Sequence, residues 1–231
     1  MIPLKDDVPA EHFPVVNLSL ILVNVLCFVY EILLRGQLEG FIQNYGFIPA
    51  RFSAQQAAIN SLDISHFLPV FTSMFLHGGL LHLVSNMWML WIFGDNVEDR
   101  MGHGRYLVFY LLCGVVAAFA QLLSQPQSLS PMIGASGAIS GVLGAYFLLY
   151  PRARILTLVP IFIFFYLLEL PAYFFLGFWF FMQFLQGYIH LLTVGSVAKG
   201  GVAWWAHVGG FGAGVLLLWF FKKKKVSRKK K

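Results

Sequence analysis

From Val202 to Phe221 the chain runs 20 residues without a charged side chain, then stops at Lys222, the first of a basic cluster. A stretch of that length and apolarity matches the ~20 residues a helix needs to cross the hydrocarbon of a bilayer. Tyr106 to Leu123 and Ile133 to Tyr150 repeat the pattern without a charge, and Pro14 to Leu34 repeats it with only Glu31. A chain built this way uses lipid as its solvent. Composition agrees: hydrophobic residues make up 58% and charged residues 11%, against about 25% charged in ordinary globular domains. Too little polar side chain remains to coat a water-soluble ball. Disorder is excluded, because it needs low hydrophobicity. A disulfide scaffold is excluded too, because Cys27 and Cys113 are the only cysteines and both lie inside apolar runs, where they pack as small hydrophobes.

The apolar runs predict an all-α membrane protein of six spanning helices, with spans near 14–34, 79–94, 106–123, 134–150, 167–187 and 202–221. Residues 1–221 form one membrane domain and 222–231 a basic tail. The stretch Ile155–Leu192 is the least regular. Its 38 residues carry one charge, Glu169, which is too long for one span and too short for two with a loop. Pro160 and Pro171 break it. Arg154 to Phe165 is therefore read as an interfacial or partly inserted segment ahead of the fifth span. The loop from Arg35 to Gly79 mixes Phe47, Ile48, Phe52, Phe67, Leu68 and Phe71 with polar residues and is expected to lie in the membrane interface. Met1–Phe13 carries Lys5, Asp6, Asp7, Glu11 and two prolines and does not read as a signal peptide.

The net charge of +6 raises the question of nucleic acid. Eight of the 16 basic residues fall in Lys222–Lys231, so the body is close to neutral. No surface of interleaved basic and aromatic residues accompanies the tail, which excludes nucleic acid as the partner and leaves anionic lipid headgroups. Six spans put both termini on one side, and the positive-inside rule makes that side the cytoplasm. Lys5, Arg100, Arg105, Arg152, Arg154 and the tail then lie inside, and Arg35, Arg51 and Lys199 outside. With no organelle presequence visible, a bacterial plasma membrane is the expected location.

Polar side chains inside a span are costly and mark functional sites. The second span carries His82 and Asn86, one turn apart on one face. The fourth opens with Gly134-Ala135-Ser136-Gly137, and the sixth contains Ala206-His207-Val208-Gly209-Gly210. All three helices enter from the outside, so these groups share one layer. His207 lies about six residues in, or ~9 Å. A serine hydroxyl is a weak nucleophile until an imidazole takes its proton. Ser136 and His207 supply that pair. The free N–H groups that begin the fourth span, with His82 and Asn86, are placed to stabilise an oxyanion. Glu31, Asp95, Glu98 and Glu169 are assigned to the inner ends or the midplane, so a Ser-His dyad is expected and not a triad. Gly137, Gly141 and Gly144 on the fourth span and Gly210 and Gly214 on the sixth permit close backbone contact. Ser140 reads as a packing residue, Trp204 and Trp205 as an aromatic belt, and His103 and His190 as solvated. The residues call for no cofactor and no metal.

At these positions the sequence resembles the rhomboid family of intramembrane serine proteases. The resemblance rests on His77-x4-His82-x3-Asn86, Glu98-x-Arg100-x-Gly102, Gly134-Ala135-Ser136-Gly137 and Ala206-His207-x2-Gly210-x3-Gly214. It implies a six-helix bundle around a water-filled cavity, with Ser136 as nucleophile and His207 as base. It implies an oxyanion hole from His82, Asn86 and the Ser136 N–H, and structural roles for Glu98 and Arg100. A phenylalanine-rich fifth helix would be the lateral gate, and single-pass membrane proteins would be the substrates. Ser140 stands where some members carry an aromatic that stacks on the catalytic histidine. The first loop has Tyr45-Gly46-Phe47-Ile48-Pro49-Ala50-Arg51 in place of a Trp-Arg pair.

Two other functions fit the same residues. One is a catalytically silent scaffold that binds membrane proteins. The other is a transporter or cofactor-binding protein using His82 and His207 as ligands. Other intramembrane proteases fit poorly: a His-Glu-x-x-His zinc motif, paired intramembrane aspartates and a lysine inside a span are all missing.

Overall fold

The computed structural model describes residues 1–58, 64–194 and 201–223. Lys199 and most of the basic tail therefore lie outside the described residues. The chain runs β1 (Ile2–Asp6), α1 (Val15–Leu33), α2 (Leu38–Tyr45), α3 (Pro49–Ala58), α4 (Leu68–Thr72), α5 (Leu80–Met101), α6 (His103–Ser124) and α7 (Ser136–Leu149). It continues with β2 (Arg154–Ile161), β3 (Phe164–Pro171), α8 (Ala172–Val194) and α9 (Trp204–Phe221). Four helices, α1, α6, α8 and α9, are long and apolar enough to span a membrane. A fifth candidate is α5 taken with the segment Ser65–Phe75, which meets it at a bend of 83°. Helix α7 has 14 residues, about 21 Å of helix, and is shorter than the ~30 Å hydrocarbon core. It sits at the centre, with every residue from Ala138 to Tyr146 buried. Around it the main core gathers Leu90 and Phe93 of α5, Tyr106 and Tyr110 of α6, Phe175 and Leu176 of α8, and Phe211 of α9.

The all-α expectation needs correction. Residues 154–171 form an antiparallel hairpin, with Arg154 opposite Pro171 and Ile161 opposite Phe164, and β1 pairs with β2 to complete a three-stranded sheet. Helix α8 starts only after Pro171 and runs to Val194, so the expected fifth span is displaced toward the C-terminus. The reason is local. Ile155-Leu-Thr-Leu-Val and Phe164-Phe-Tyr are β-branched and aromatic, and prolines at 160 and 171 oppose a helix interior. A run apolar at nearly every position shows neither a period of two nor one of 3.6, so periodicity cannot separate strand from helix.

Part of the loop between α1 and α5 packs against the helices. Phe47 and Phe52 are buried with Val70 and Ala118 in a second small core, and Phe47 exchanges backbone hydrogen bonds with Met132 at 3.1 and 2.7 Å. Leu68 and Phe71 remain exposed.

At the end of the bundle where α1 begins, polar groups tie the chain down. The buried Glu98 carboxylate accepts the N–H groups of Val16 at 3.0 Å and Asn17 at 2.7 Å, filling orphan donors at the start of α1, and it also contacts His103. His103 is thus paired and not simply solvated. Asn17 donates to the Leu90 carbonyl at 3.0 Å and accepts from the Tyr106 hydroxyl at 2.9 Å, linking α1, α5 and α6. The carbonyl of Arg100 accepts the Lys223 N–H at 2.8 Å. Asp6 accepts from Asn96 at 3.0 Å and from the Tyr146 hydroxyl. Burial pushes the Asp6 carboxyl above its usual range, and the Tyr146 hydrogen bond works against that shift.

Candidate active site

Ser136 is the first residue of α7, and His207 lies one turn into α9. Glycines bring the two helices together. A Cβ on Gly210 would overlap the carbonyl oxygen of Gly137, and one on Gly214 would overlap that of Gly141. Only backbones without side chains approach this closely. Ser136 Oγ consequently lies 2.8 Å from His207 Nε2, a hydroxyl-to-imidazole hydrogen bond of normal length. Ser140, one turn on, donates its hydroxyl to the Ser136 carbonyl at 2.6 Å.

The opposite wall comes from α5 and the turn before α7. Gly134 has a φ of 121°, a left-handed conformation that suits glycine. A Cβ there would stand 2.6 Å from His82 Nε2 and 3.8 Å from Ser136 Oγ, so the His82 ring lies directly over this turn. Asn86 follows one turn later and donates its amide to the His82 carbonyl at 2.8 Å. His77 is buried, with its ring centroid 5.1 Å from that of His82. Ser73, His82, Asn86, Ser136, Gly137 and His207 all line one cavity of about 590 Å³. Glu98 and Arg100 lie far from it, at the end where α1 begins. Among the described residues no group of three His, Cys, Asp or Glu side chains is arranged to hold a metal.

Several residues that periodicity passed over stand around the site. Gln183 of α8 places Oε1 2.7 Å from His207 Nδ1. Trp179, one turn earlier, has its ring 6.0 Å from the imidazole, and Trp204 lies 6.3 Å away on another side. A single amide in the aromatic run Phe174–Leu185 was the available signal for Gln183. The sequence places Glu31 away from this layer. Its carboxylate in fact accepts the His77 N–H at 3.1 and 3.2 Å, one turn from His82, because α1 ends where α5 begins. It does not bond to His207, which pairs with an amide and a hydroxyl. His190, expected in solvent, belongs to α8 and meets Gln125 at 2.9 Å, while Gln125 accepts from Gln121 at 2.8 Å. Gln121 accepts the Ala206 N–H at 3.3 Å, which ties the start of α9 to α6.

A hydroxyl on an imidazole, at a helix N-terminus and beside a cavity, can attack a carbonyl and hold the resulting oxyanion. Known proteins bear on this geometry. A presenilin-associated rhomboid-like protein A, mitochondrial, from Danio rerio is 32% identical over 49% of this chain and 31% of its own length. Rhomboid protein 1, mitochondrial, from Saccharomyces cerevisiae is 27% identical over 75% of this chain and 47% of its own. The rhomboid protease GluP from Bacillus subtilis is 43% identical over 32% of this chain and 14% of its own. The chain spans less than half the length of these relatives. The two mitochondrial relatives overturn the expected bacterial plasma membrane. That expectation leaned on a missing presequence, and a sequence matching only part of its relatives carries no information about what precedes it. A family model for the rhomboid domain matches residues 65–224. That match takes in every residue named above on the cavity wall, and the chain belongs to the rhomboid family.

Proposed function

We propose that the chain is an intramembrane serine endopeptidase that cuts the transmembrane helices of other membrane proteins near one end. The observation that carries this reading is the 2.8 Å contact between Ser136 Oγ and His207 Nε2 at the wall of a roomy cavity. The relative named as a protease supports it. The fold is read as a six-helix bundle of α1, α5, α6, α7, α8 and α9, in a membrane domain of residues 1–221. The basic tail, 222–231, meets anionic headgroups.

The chemistry follows from the groups present. Ser136 Oγ forms a bond to the substrate carbonyl carbon as His207 Nε2 takes the hydroxyl proton. The carbonyl oxygen becomes an oxyanion held by the Ser136 N–H with His82 and Asn86. As the C–N bond breaks, the imidazolium returns that proton to the leaving amine. Water then attacks the acyl carbon as His207 takes its proton, the acyl C–Oγ bond breaks, and the imidazolium returns that proton to Ser136 Oγ, releasing the carboxylic acid product. A substrate helix must unwind locally to expose its carbonyl, so small or helix-breaking residues at the cut site lower the cost. Glu98 and Arg100 hold the opposite end together, and His77 supports His82.

The test is cleavage of a single-pass substrate in liposomes, paired with labelling by a fluorophosphonate probe. Cleavage together with adduct formation on Ser136 is the expected result. Neither, across several substrates that still bind, would turn the reading toward a silent scaffold. Asn86→Ala is expected to lower kcat about 10²-fold, the usual cost of one oxyanion donor, without a matching loss of thermal stability. An unchanged rate removes Asn86 from the oxyanion hole.

A further inference from the structure

We propose that Gln183 is the positioning residue for His207, holding its imidazole in the one tautomer that can act as a base. The proposal rests on the peptidase reading and goes beyond it. Ser136 can donate its proton to Nε2 only if that nitrogen carries a lone pair. The remaining ring proton must then sit on Nδ1. Gln183 Oε1, 2.7 Å from Nδ1, accepts it, and an amide oxygen can only accept. Both side chains are buried, so water is poorly placed to substitute. Trp179, on the same face of α8 as Gln183, stands against the imidazole, so one helix supplies both the hydrogen bond and a wall for the ring. The arrangement reproduces the orienting part of an Asp-His pair without its charge. A neutral amide fixes the tautomer but gives the imidazolium no ion-pair stabilisation.

Two substitutions separate orientation from packing. Gln183→Leu keeps most of the volume and removes the acceptor. It is expected to lower kcat about 10- to 100-fold, the range set by one buried hydrogen bond, with KM and the melting temperature nearly unchanged. Gln183→Glu keeps an acceptor and adds a charge. It is expected to recover much of the rate and to move the acid limb of the kcat/KM profile to higher pH, because a carboxylate beside Nδ1 favours the protonated ring. A Gln183→Leu variant with unchanged kcat, or a Gln183→Glu variant that neither recovers rate nor moves the acid limb, overturns the proposal. A wild type that labels at Ser136 and cuts substrate keeps the peptidase reading intact in either case. An inert wild type defeats both.

Discussion

Ser136→Ala is expected to lower kcat by about 10⁴- to 10⁶-fold, about 5–8 kcal/mol of transition-state stabilisation, with little change in melting temperature. Among the described residues the hydroxyl makes one hydrogen bond, to His207, worth about 1 kcal/mol. Its loss removes the atom proposed to form the acyl-enzyme. His207→Ala should fall in the same range, because a hydroxyl without its base is a weak nucleophile. The double variant should be no slower than either single one, since groups that act as a unit do not add. Cleavage assays in liposomes with melting curves on the same preparations decide the matter. A Ser136→Ala enzyme that cuts like wild type would end the proposed mechanism.

Gly214→Val is expected to cost about 3 kcal/mol of stability or more, at the severe end of overpacking. Its first added carbon would fall on the Gly141 carbonyl oxygen and 2.6 Å from the carbonyl carbon. Backbone cannot rotate away as a flexible side chain can, so α9 must shift. The same clash at Gly210, whose Cβ would stand 3.1 Å from the Gly137 carbonyl carbon, acts one turn from His207. A displacement of ~1 Å there would cost ~10² in rate even in folded protein. Gly212 provides the contrast, because a Cβ there meets nothing within 4 Å. Gly212→Val should melt close to wild type. Equal melting temperatures for the 212 and 214 variants would show that the glycine contact does not hold these helices together.

These two residues also mark how far the sequence could be read. The x3 spacing of Gly210 and Gly214, and of Gly137 and Gly141, is visible in one dimension and specifies faces that can touch. His82 and Asn86 share a face by the same arithmetic, and Ser136 is recognisable beside a helix start. These are properties of single helices, fixed by 3.6 residues per turn. Gln183 has no such signature. Its partner lies 24 residues away on another helix, and periodicity does not set how α8 is rotated against α9. Glu31 and Asn17 make the same point. A polar side chain in lipid announces that it needs a partner, but whether that partner belongs to the site or to a clamp elsewhere depends on which helix end it meets.

The amino-acid sequence by itself determined that the chain must live in lipid, where most of its helices run, and which small and polar residues had to find one another. Each of these follows from local chemistry: the length of apolar runs, the cost of an unpaired polar group, the room left by a missing side chain. Tertiary structure decided the rest. It turned Arg154–Pro171 into a hairpin, because uniform apolarity carries no period to choose strand over helix. It buried Phe47 and Phe52 with Ala118 of α6. It put an uncharged amide behind His207, because the partner of a buried group is chosen by the packing of whole helices, which only the folded chain contains.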